Sequence, residues 1–350
     1  MNGNLSFGVG PIRWAWFIVT ALALALLPAV TNTNTPTILL IWALFALSLG
    51  LMWGFAGILS FGHAAYFGLG AYTYAIAAMN VGESTGPLLL AVLLPACLAA
   101  VIGAMMFYGR ISDVYMGVIT LVVTLILFKF MNATAGDAYR IGEARLGGFN
   151  GIPAFPILNL PGDPQMTISG LPFYYLVATL LGICYLLCRW ILGSYFGRVL
   201  IGIRENEARI ELLGYSAPAY KTAIFTISAA MAGLAGCLFA NWAEIVTPGV
   251  FSLRQSAEVI IWTIVGGLGT LAGPMAGAAA LGFLKLLLGE QTLIDNSLVL
   301  GAILVLVVLL LPRGLLPTLS RWRERRDLAN ASRRQAASAR RRRAQRSDGP

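Results

Sequence analysis

The chain has 350 residues, of which 58% are hydrophobic and only 11% are charged. With a mean hydropathy of +0.78, this composition excludes a soluble globular protein and predicts an all-α polytopic membrane protein. The formal net charge of +9 is unevenly spread, because residues 321–350 contain eleven arginines and three acidic residues.

Metal and disulfide chemistry are disfavoured by the same composition. The four cysteines all lie within apolar segments, and the sequence has one histidine. Zinc and iron sites need clustered cysteine, histidine or carboxylate ligands. We therefore predict no bound metal and no cofactor, and we interpret the cysteines as small buried hydrophobic residues.

About ten membrane-spanning helices are predicted, because each needs about 20 apolar residues. The first covers residues 14–30 and follows a short cytoplasmic segment, residues 1–13. It has the length of a signal peptide, but no clear cleavage site follows it, so we expect it to be retained. Residues 14–319 form the predicted transmembrane domain. Its other nine spans are predicted over residues 38–55, 57–79, 87–108, 114–131, 173–192, 222–242, 256–270, 271–289 and 296–311.

The third predicted span combines small residues with a histidine. Small residues recur from Gly57 to Gly68 at helical spacing, which favours close packing against another helix. A lone histidine in a membrane span, His63, is a functional hypothesis because its burial is costly, although a neighbouring carbonyl group could equally satisfy it. We take Ser60, His63 and Tyr66 as candidates for lining a translocation path.

A polar stretch rich in glycine and proline, residues 132–171, separates the fifth and sixth spans. Forty residues without strong periodicity are long for a simple connection, and loops of this kind are often functional. The alternative is an ordered surface loop that binds no partner.

Residues 193–221, called the charged island below, form the densest charged segment between spans. Val199, Ile203, Ile210 and Leu213 recur at near-helical spacing. This pattern favours one short amphipathic helix, ended by Gly214. The alternative is a solvated connecting loop.

Glycines interrupt the long apolar segment near the C-terminal end. Gly269, Gly273 and Gly277 give two overlapping GxxxG steps, which indicate close contact between helices. Interrupted, Gly-rich segments also mark substrate paths in transporters. We therefore add Glu258 and Thr270 to the candidate path residues.

The distribution of charge predicts the topology. Ten spans place both termini on one side. Of the thirteen basic residues outside the tail, eight then lie on the inner side, three on the outer side, and Lys129 and Lys285 within or near the ends of spans. This asymmetry agrees with the positive-inside rule, so both termini and the charged island are predicted to be cytoplasmic. Residues 320–350 lack the apolar residues of a core. We expect a disordered, Arg-rich cytoplasmic tail that binds anionic lipid and not nucleic acid.

Motifs of nucleotide chemistry are absent from the sequence. The chain has no GxxxxGK[ST] and no Gly-Lys dipeptide, which excludes a P-loop. The HExxH pattern of zinc hydrolases is also missing. We therefore predict that the chain is not an enzyme and that a partner must hydrolyse any ATP it uses.

Three segments resemble a known family. Residues 57–72 (GILSFGHAAYFGLGAY), residues 204–208 with 213–215 (RENEA and LGY), and residues 266–274 (GGLGTLAGP) are similar to signatures of the branched-chain amino acid permeases of ABC importers. The resemblance covers residues 39–317 in the same order. The general coupling motif has alanine where this chain has Arg209, and its glycine comes earlier than Gly214.

The resemblance implies the fold of an ABC importer permease in the bacterial inner membrane. It implies transport of branched-chain or other hydrophobic amino acids, in a heterodimer with a second permease subunit. Two cytoplasmic ATP-binding subunits would hydrolyse ATP, and a periplasmic substrate-binding protein would dock on residues 132–171. The charged island would be the coupling loop. Its matched positions are Arg204, Glu205, Asn206, Glu207, Ala208, Arg209 and Gly214.

Two alternatives stay open. Residues 188–200, 206–209 and 213–215 are also similar to permeases for urea or short amides. Those permeases have a Gly-Arg-Gly pattern, and Gly267-Leu268-Gly269 of this chain departs from it. An ATP-independent secondary transporter or channel is the alternative from another class.

Overall fold

The computed structural model describes residues 32–289 and, beyond them, only Pro28 and Gly301. Apart from those two residues, four predicted segments lie outside the described part of the chain. They are the N-terminal segment 1–13, the first span at 14–30, the tenth span at 296–311 and the Arg-rich tail at 320–350.

The described residues form a helical bundle. Five of its helices are long and apolar enough to cross a membrane, namely α1, α3, α4, α5 and α8 as numbered here. The helical membrane architecture is confirmed, whereas the count of ten spans stays a prediction. The helices are α1 (Asn34–Ala56), α2 (Ala64–Val81), α3 (Thr85–Tyr108), α4 (Asp113–Ala133), α5 (Leu171–Gly193), α6 (Tyr195–Glu205), α7 (Glu207–Leu212), α8 (Ala217–Ala243), α9 (Leu253–Gly266) and α10 (Ala272–Gly289).

Helix α1 lies at the centre of the bundle. It is apolar all round, and 89% of its most apolar 18 residues are buried. It packs against α5, α8, α9 and α10. A helix with no polar face is stable only where every side meets protein or lipid. By contrast, α3, α4 and α5 present large apolar side chains outward, as lipid-facing or subunit-facing helices do.

The predicted helix over residues 57–79 is wrong at its start. Gly57 ends α1 in the left-handed conformation (φ 76°), and α2 begins only at Ala64. An α-helix cannot continue through such a residue. Residues 57–63 therefore form a non-helical segment, so Gly57 and Ser60 share no helix face with Gly68.

One end of the bundle, called the hairpin end, is made of short antiparallel strands. Strand β1 (Arg140–Ile141) pairs with β2 (Ala144–Arg145), and β4 (Asn159–Leu160) pairs with β5 (Asp163–Thr167). Strand β3 (Ile152–Pro153) pairs with β6 (Ile245–Val246), which directly follows α8. This pairing fastens the long polar stretch onto the helices.

Buried polar side chains fix the hairpin end further. Asn241 of α8 accepts a hydrogen bond from the Leu158 amide over 2.8 Å. Ser84, which precedes α3, donates to the Asn159 carbonyl oxygen and accepts from the Asn159 amide. The stretch predicted as a loop is therefore an ordered cap on the bundle. The opposite end, which holds α6 and α7, is called the island end.

Candidate coupling surface and translocation path

The charged island folds as two helices, not as the one amphipathic helix that its spacing predicts. Asn206 has an extended backbone (φ −163°, ψ 96°), which ends α6. Its side-chain oxygen accepts a hydrogen bond from the Arg209 amide over 3.0 Å and so caps α7. Asparagine is a favoured residue at this capping position. The break turns α7 away from the direction of α6.

Arg204 binds inward, to the end of α1. Its Nη1 atom donates a hydrogen bond to the carbonyl oxygen of Gly54 over 2.5 Å, and Nη2 donates to Glu205 over 2.8 Å. A cation is stabilised at a helix C-terminus by the unpaired carbonyl groups and the helix dipole. Gly57 lies beside it, because a Cβ atom there would be 3.0 Å from Arg204 Cγ. Arg204 thus joins the island to α1.

Glu207 is also engaged within the chain. Its carboxylate accepts from Lys221 Nζ over 2.5 Å, and the Lys221 side chain is only 12% exposed. The same ammonium group lies 5.9 Å from the centre of the Phe107 ring. This pair fastens α7 to the start of α8.

Several other island side chains face outward. Glu205 is 69% exposed, Leu212 is 88% exposed and Leu213 is 67% exposed. Asn206, Ala208, Arg209 and Gly214 are exposed as well. Exposed leucines beside charged groups form a surface that water solvates poorly, and such patches mark sites of protein contact.

A cleft of about 390 Å³ adjoins this surface. Arg110, in the turn after α3, spans it through a 3.5 Å ion pair with Glu211 of α7. The cleft separates the α3–α4 turn from the α7–α8 connection, so a movement of α7 changes its width. Its lining residues are Tyr108, Arg110, Glu211, Gly214, Tyr215, Ser216 and Pro218.

Ser60 and His63 lie in the non-helical segment, and Tyr66 lies in the first turn of α2 with its ring 6.0 Å from that of His63. His63 lies 2.8 Å from Ser48 Oγ through Nε2, and its ring stacks on Phe45 at 5.4 Å. Within the described residues, His63 Nδ1 and Ser60 Oγ are buried and have no hydrogen-bond partner. Non-helical backbone at membrane depth is tolerated where protein buries it or where it lines a water-filled cavity.

Serines that the sequence analysis missed complete this polar region. Ser228 of α8 donates to the Ser48 carbonyl oxygen over 2.7 Å, and Ser256 of α9 accepts from the Ala64 amide over 3.3 Å. Single serines inside apolar spans are the only sequence signal for them. Their hydrogen bonds join α8 to α1 and α9 to α2, so that these four helices meet around His63.

The two other path candidates lie elsewhere. Thr270 belongs to the α9–α10 turn, where its hydroxyl donates to Gly267 and accepts from the Gly273 amide. Glu258 is buried in α9 and ion-paired with Arg254 and Lys285. The structure therefore does not gather all five candidates into one site.

The glycines differ in what they do. Gly273 and Gly277 meet the backbone of the facing α9, at Gly266 and Trp262, leaving no room for a Cβ atom. Gly269 lies in the turn before α10 with φ 82°, so the predicted run of two GxxxG steps has one step on the helix. Gly68 packs against the ring of Phe251.

Comparison with known proteins gives a consistent family. A family model described as the permease component of branched-chain amino acid transport systems matches residues 31–309. The high-affinity branched-chain amino acid permease protein LivM of Escherichia coli K12 is 30% identical, over 87% of this chain and 76% of its own length.

More distant relatives have the same description. A probable LivM protein of Methanocaldococcus jannaschii is 23% identical, over 79% of this chain and 90% of its own. The LivH permease protein of Escherichia coli K12 is 24% identical, over 79% and 91%. No solved structure gives a significant match.

Proposed function

The chain belongs to the branched-chain amino acid permease family of ABC transporters, and from this premise we propose that it is a membrane subunit of an amino acid importer. Its substrates are branched-chain or other hydrophobic amino acids, which cross the inner membrane. Two cytoplasmic ATP-binding subunits supply the energy, since the sequence has no P-loop.

The observation that best supports this mechanism is that some side chains of the charged island bind inward whereas others face outward. Arg204 and Glu207 bind inward, to Gly54 and Lys221, whereas Glu205 and Leu212 face outward. A motor outside the membrane can bias the pore only through contacts that differ between its two states. An outward docking face linked to α1 by a charged hydrogen bond provides such a contact.

The hairpin end is proposed to lie on the periplasmic side, as the docking surface for a substrate-binding protein. The excess of basic residues at the island end supports this orientation. Phe149, in the Gly148–Asn150 turn, is 79% exposed and offers an apolar anchor. This segment is hydrogen-bonded to Asn80 of α2, to Ser84 before α3 and to Asn241 of α8. A docked protein would therefore act on these three helices.

A second permease subunit is proposed as the neighbour in the membrane. The relatives in Escherichia coli K12 are two different permease proteins, LivM and LivH, which supports a heterodimer. The exposed apolar faces of α3, α4 and α5 offer surface for lipid and for this subunit. Residues 320–350 are proposed to bind anionic lipid at the cytoplasmic surface.

The translocation path is proposed to pass the polar region around His63. Buried groups without hydrogen-bond partners, such as Ser60 Oγ and His63 Nδ1, cost about 1–3 kcal/mol each. A second state in which water or substrate reaches them would explain their retention. Tyr66, whose ring meets His63 edge-on at 6.0 Å, would line the same passage.

Uptake by the reconstituted transporter tests this function. The chain is placed in proteoliposomes with its second permease and ATP-binding subunits, and radiolabelled leucine is supplied on its binding protein. We expect uptake that requires both ATP and the binding protein. Uptake of urea but not leucine would favour the short-amide alternative, and uptake by this chain alone under an ion gradient would favour a secondary transporter.

A further inference from the structure

The carboxylate of Glu258 is held by two cations near the hairpin end. It accepts from Arg254 Nε over 3.2 Å, one turn away on α9, and from Lys285 Nζ over 2.6 Å, across on α10. Helix α9 begins two residues after the Pro248–Phe251 turn of the hairpin end. At 1.5 Å per residue, Glu258 lies about 8 Å from the start of that helix.

Exposure increases from the carboxylate to the cations. The Glu258 side chain is 4% exposed, that of Lys285 is 23% exposed and that of Arg254 is 54% exposed. The three groups have a net charge of +1. Two cations therefore extend from a buried carboxylate toward the surface of the chain.

The stability of the fold does not by itself explain why these three charged residues lie together. A buried ion pair can often be replaced by apolar residues without loss of stability. Ionisable groups inside membrane segments are expensive, and they commonly mark substrate or ion pathways. The contact between α9 and α10 is already close, through Gly273 and Gly277.

Aromatic rings form one wall of the cluster. Lys285 Nζ lies 5.1 Å from the centre of the Trp42 ring on α1, and Trp42 lies 5.4 Å from Trp262. Trp262 stands one turn beyond Glu258 on α9. It is fully buried, and its Nε1–H has no acceptor within the described residues. The wall is therefore apolar, and the indole N–H of Trp262 is a hydrogen-bond donor without an acceptor among the described residues.

We propose that Arg254, Glu258 and Lys285 form an ionic relay that accepts a hydrophobic amino acid as it enters the permease. The proposal rests on the importer function above. The ammonium group of the substrate pairs with Glu258, and its carboxylate pairs with Lys285 and Arg254. The three new ion pairs replace the two internal ones, so no charge is left unpaired while the side chain of the substrate contacts Trp42.

The test compares transport with ATP hydrolysis in the complete reconstituted transporter. The double variant Glu258→Gln with Lys285→Met removes both charges and keeps similar side-chain volumes, so it should assemble. Leucine delivered by the binding protein is the probe. We expect the leucine transported per ATP to fall by about tenfold or more, because the charged ends of the substrate lose their partners. Binding-protein-stimulated ATP hydrolysis should persist.

Lys129→Met is the matched control, because it removes an exposed cation from α4 toward the same end of the bundle. It should leave the amount of leucine transported per ATP unchanged. If the double variant fails to assemble, Arg254→Gln is the variant to test, because the Arg254 guanidinium is half exposed and its substitution should not prevent assembly. It should lower the same ratio.

The outcomes separate the two proposals. If the wild-type transporter moves leucine and an assembled variant moves as much per ATP, the relay is refuted and the importer function stands. If the wild-type transporter moves no amino acid, the importer function is refuted, and the relay with it. A fall in the ratio limited to the relay variants supports both.

Discussion

The guanidinium group of Arg204 donates a hydrogen bond to the main-chain carbonyl oxygen of Gly54, which joins the charged island to the end of the central helix. Gly54 also lies against the α9–α10 turn, because a Cβ atom there would be 3.0 Å from the Gly269 amide nitrogen. One side chain therefore links the proposed docking surface to two elements of the bundle.

Replacing Arg204 by glutamine should weaken this link. Hydrogen bonds to charged groups contribute about 1.5–3 kcal/mol, and the partial exposure of Arg204 places the expected loss near the lower end. We expect the variant to assemble but to transport less leucine per ATP. Arg198→Gln is the control, because Arg198 stacks on Tyr195 instead. Equal behaviour of the two variants would contradict a coupling role for Arg204.

Charge reversal at Glu207 should destabilise the chain itself. Glu207→Lys would place two ammonium groups together beside the nearly buried Lys221. We expect a lower melting temperature in detergent, with recovery in the double variant Glu207→Lys, Lys221→Glu. The measurement is the melting temperature of the wild type, of each single variant (Glu207→Lys and Lys221→Glu) and of the double variant. A single variant as stable as the wild type would show that this pair contributes little.

Substitution on the outward face should affect partner binding without affecting folding. Leu212→Asp changes a side chain that is 88% exposed, so the permease should remain folded while co-purifying less of the ATP-binding subunit. Glu205→Lys should act in the same way. The contrasting variant is Ile203→Asp, since Ile203 is buried and its substitution should prevent folding. Full assembly of both outward variants would mean that the island is only a connection.

Small residues at the α9–α10 contact should resist enlargement. A Cβ atom at Gly273 would meet the Gly267 carbonyl oxygen and the Thr270 hydroxyl. We expect Gly273→Ala to cost about 1–3 kcal/mol of stability. In Gly182→Ala the new methyl group meets no atom within 4 Å, and helix propensity should favour it by up to about 1 kcal/mol. Opposite shifts in detergent melting temperature would confirm the contrast.

Single cysteines can test the orientation. In a background lacking the exposed Cys97, Asp163→Cys at the hairpin end should react with an impermeant maleimide in intact cells. Leu213→Cys at the island end should react only after the membrane is opened. A reporter fused after Arg346 should likewise be cytoplasmic. Labelling of both cysteines from the same side would contradict the proposed topology.

Hydropathy was sufficient to locate the long helices but not their interruptions. The spans predicted over 38–55, 87–108 and 114–131 agree with α1, α3 and α4 within a few residues, because long apolar runs leave little choice of structure. The breaks at Gly57 and Asn206 each depend on one residue's backbone conformation or cap. A smooth periodic pattern does not report such events.

Contacts between residues on separate helices could not be predicted from the sequence either. Arg254 and Glu258 are four residues apart on one helix, and that pair is readable from spacing. The Lys285 contact with Glu258 and the Lys221 contact with Glu207 need the packing of separate helices. The outward and inward halves of the island therefore became distinguishable only in the folded chain.

The burial of α1 on all sides has a consequence for biosynthesis. Its later neighbours α8 and α10 begin at residues 217 and 272, far downstream of its own end at residue 56. At roughly 5–20 residues per second, translation needs on the order of ten seconds or more to supply them. During that interval α1 must reside in lipid or with an insertion factor. Nascent chains truncated before residue 217 should therefore be preferred substrates for membrane quality-control proteases.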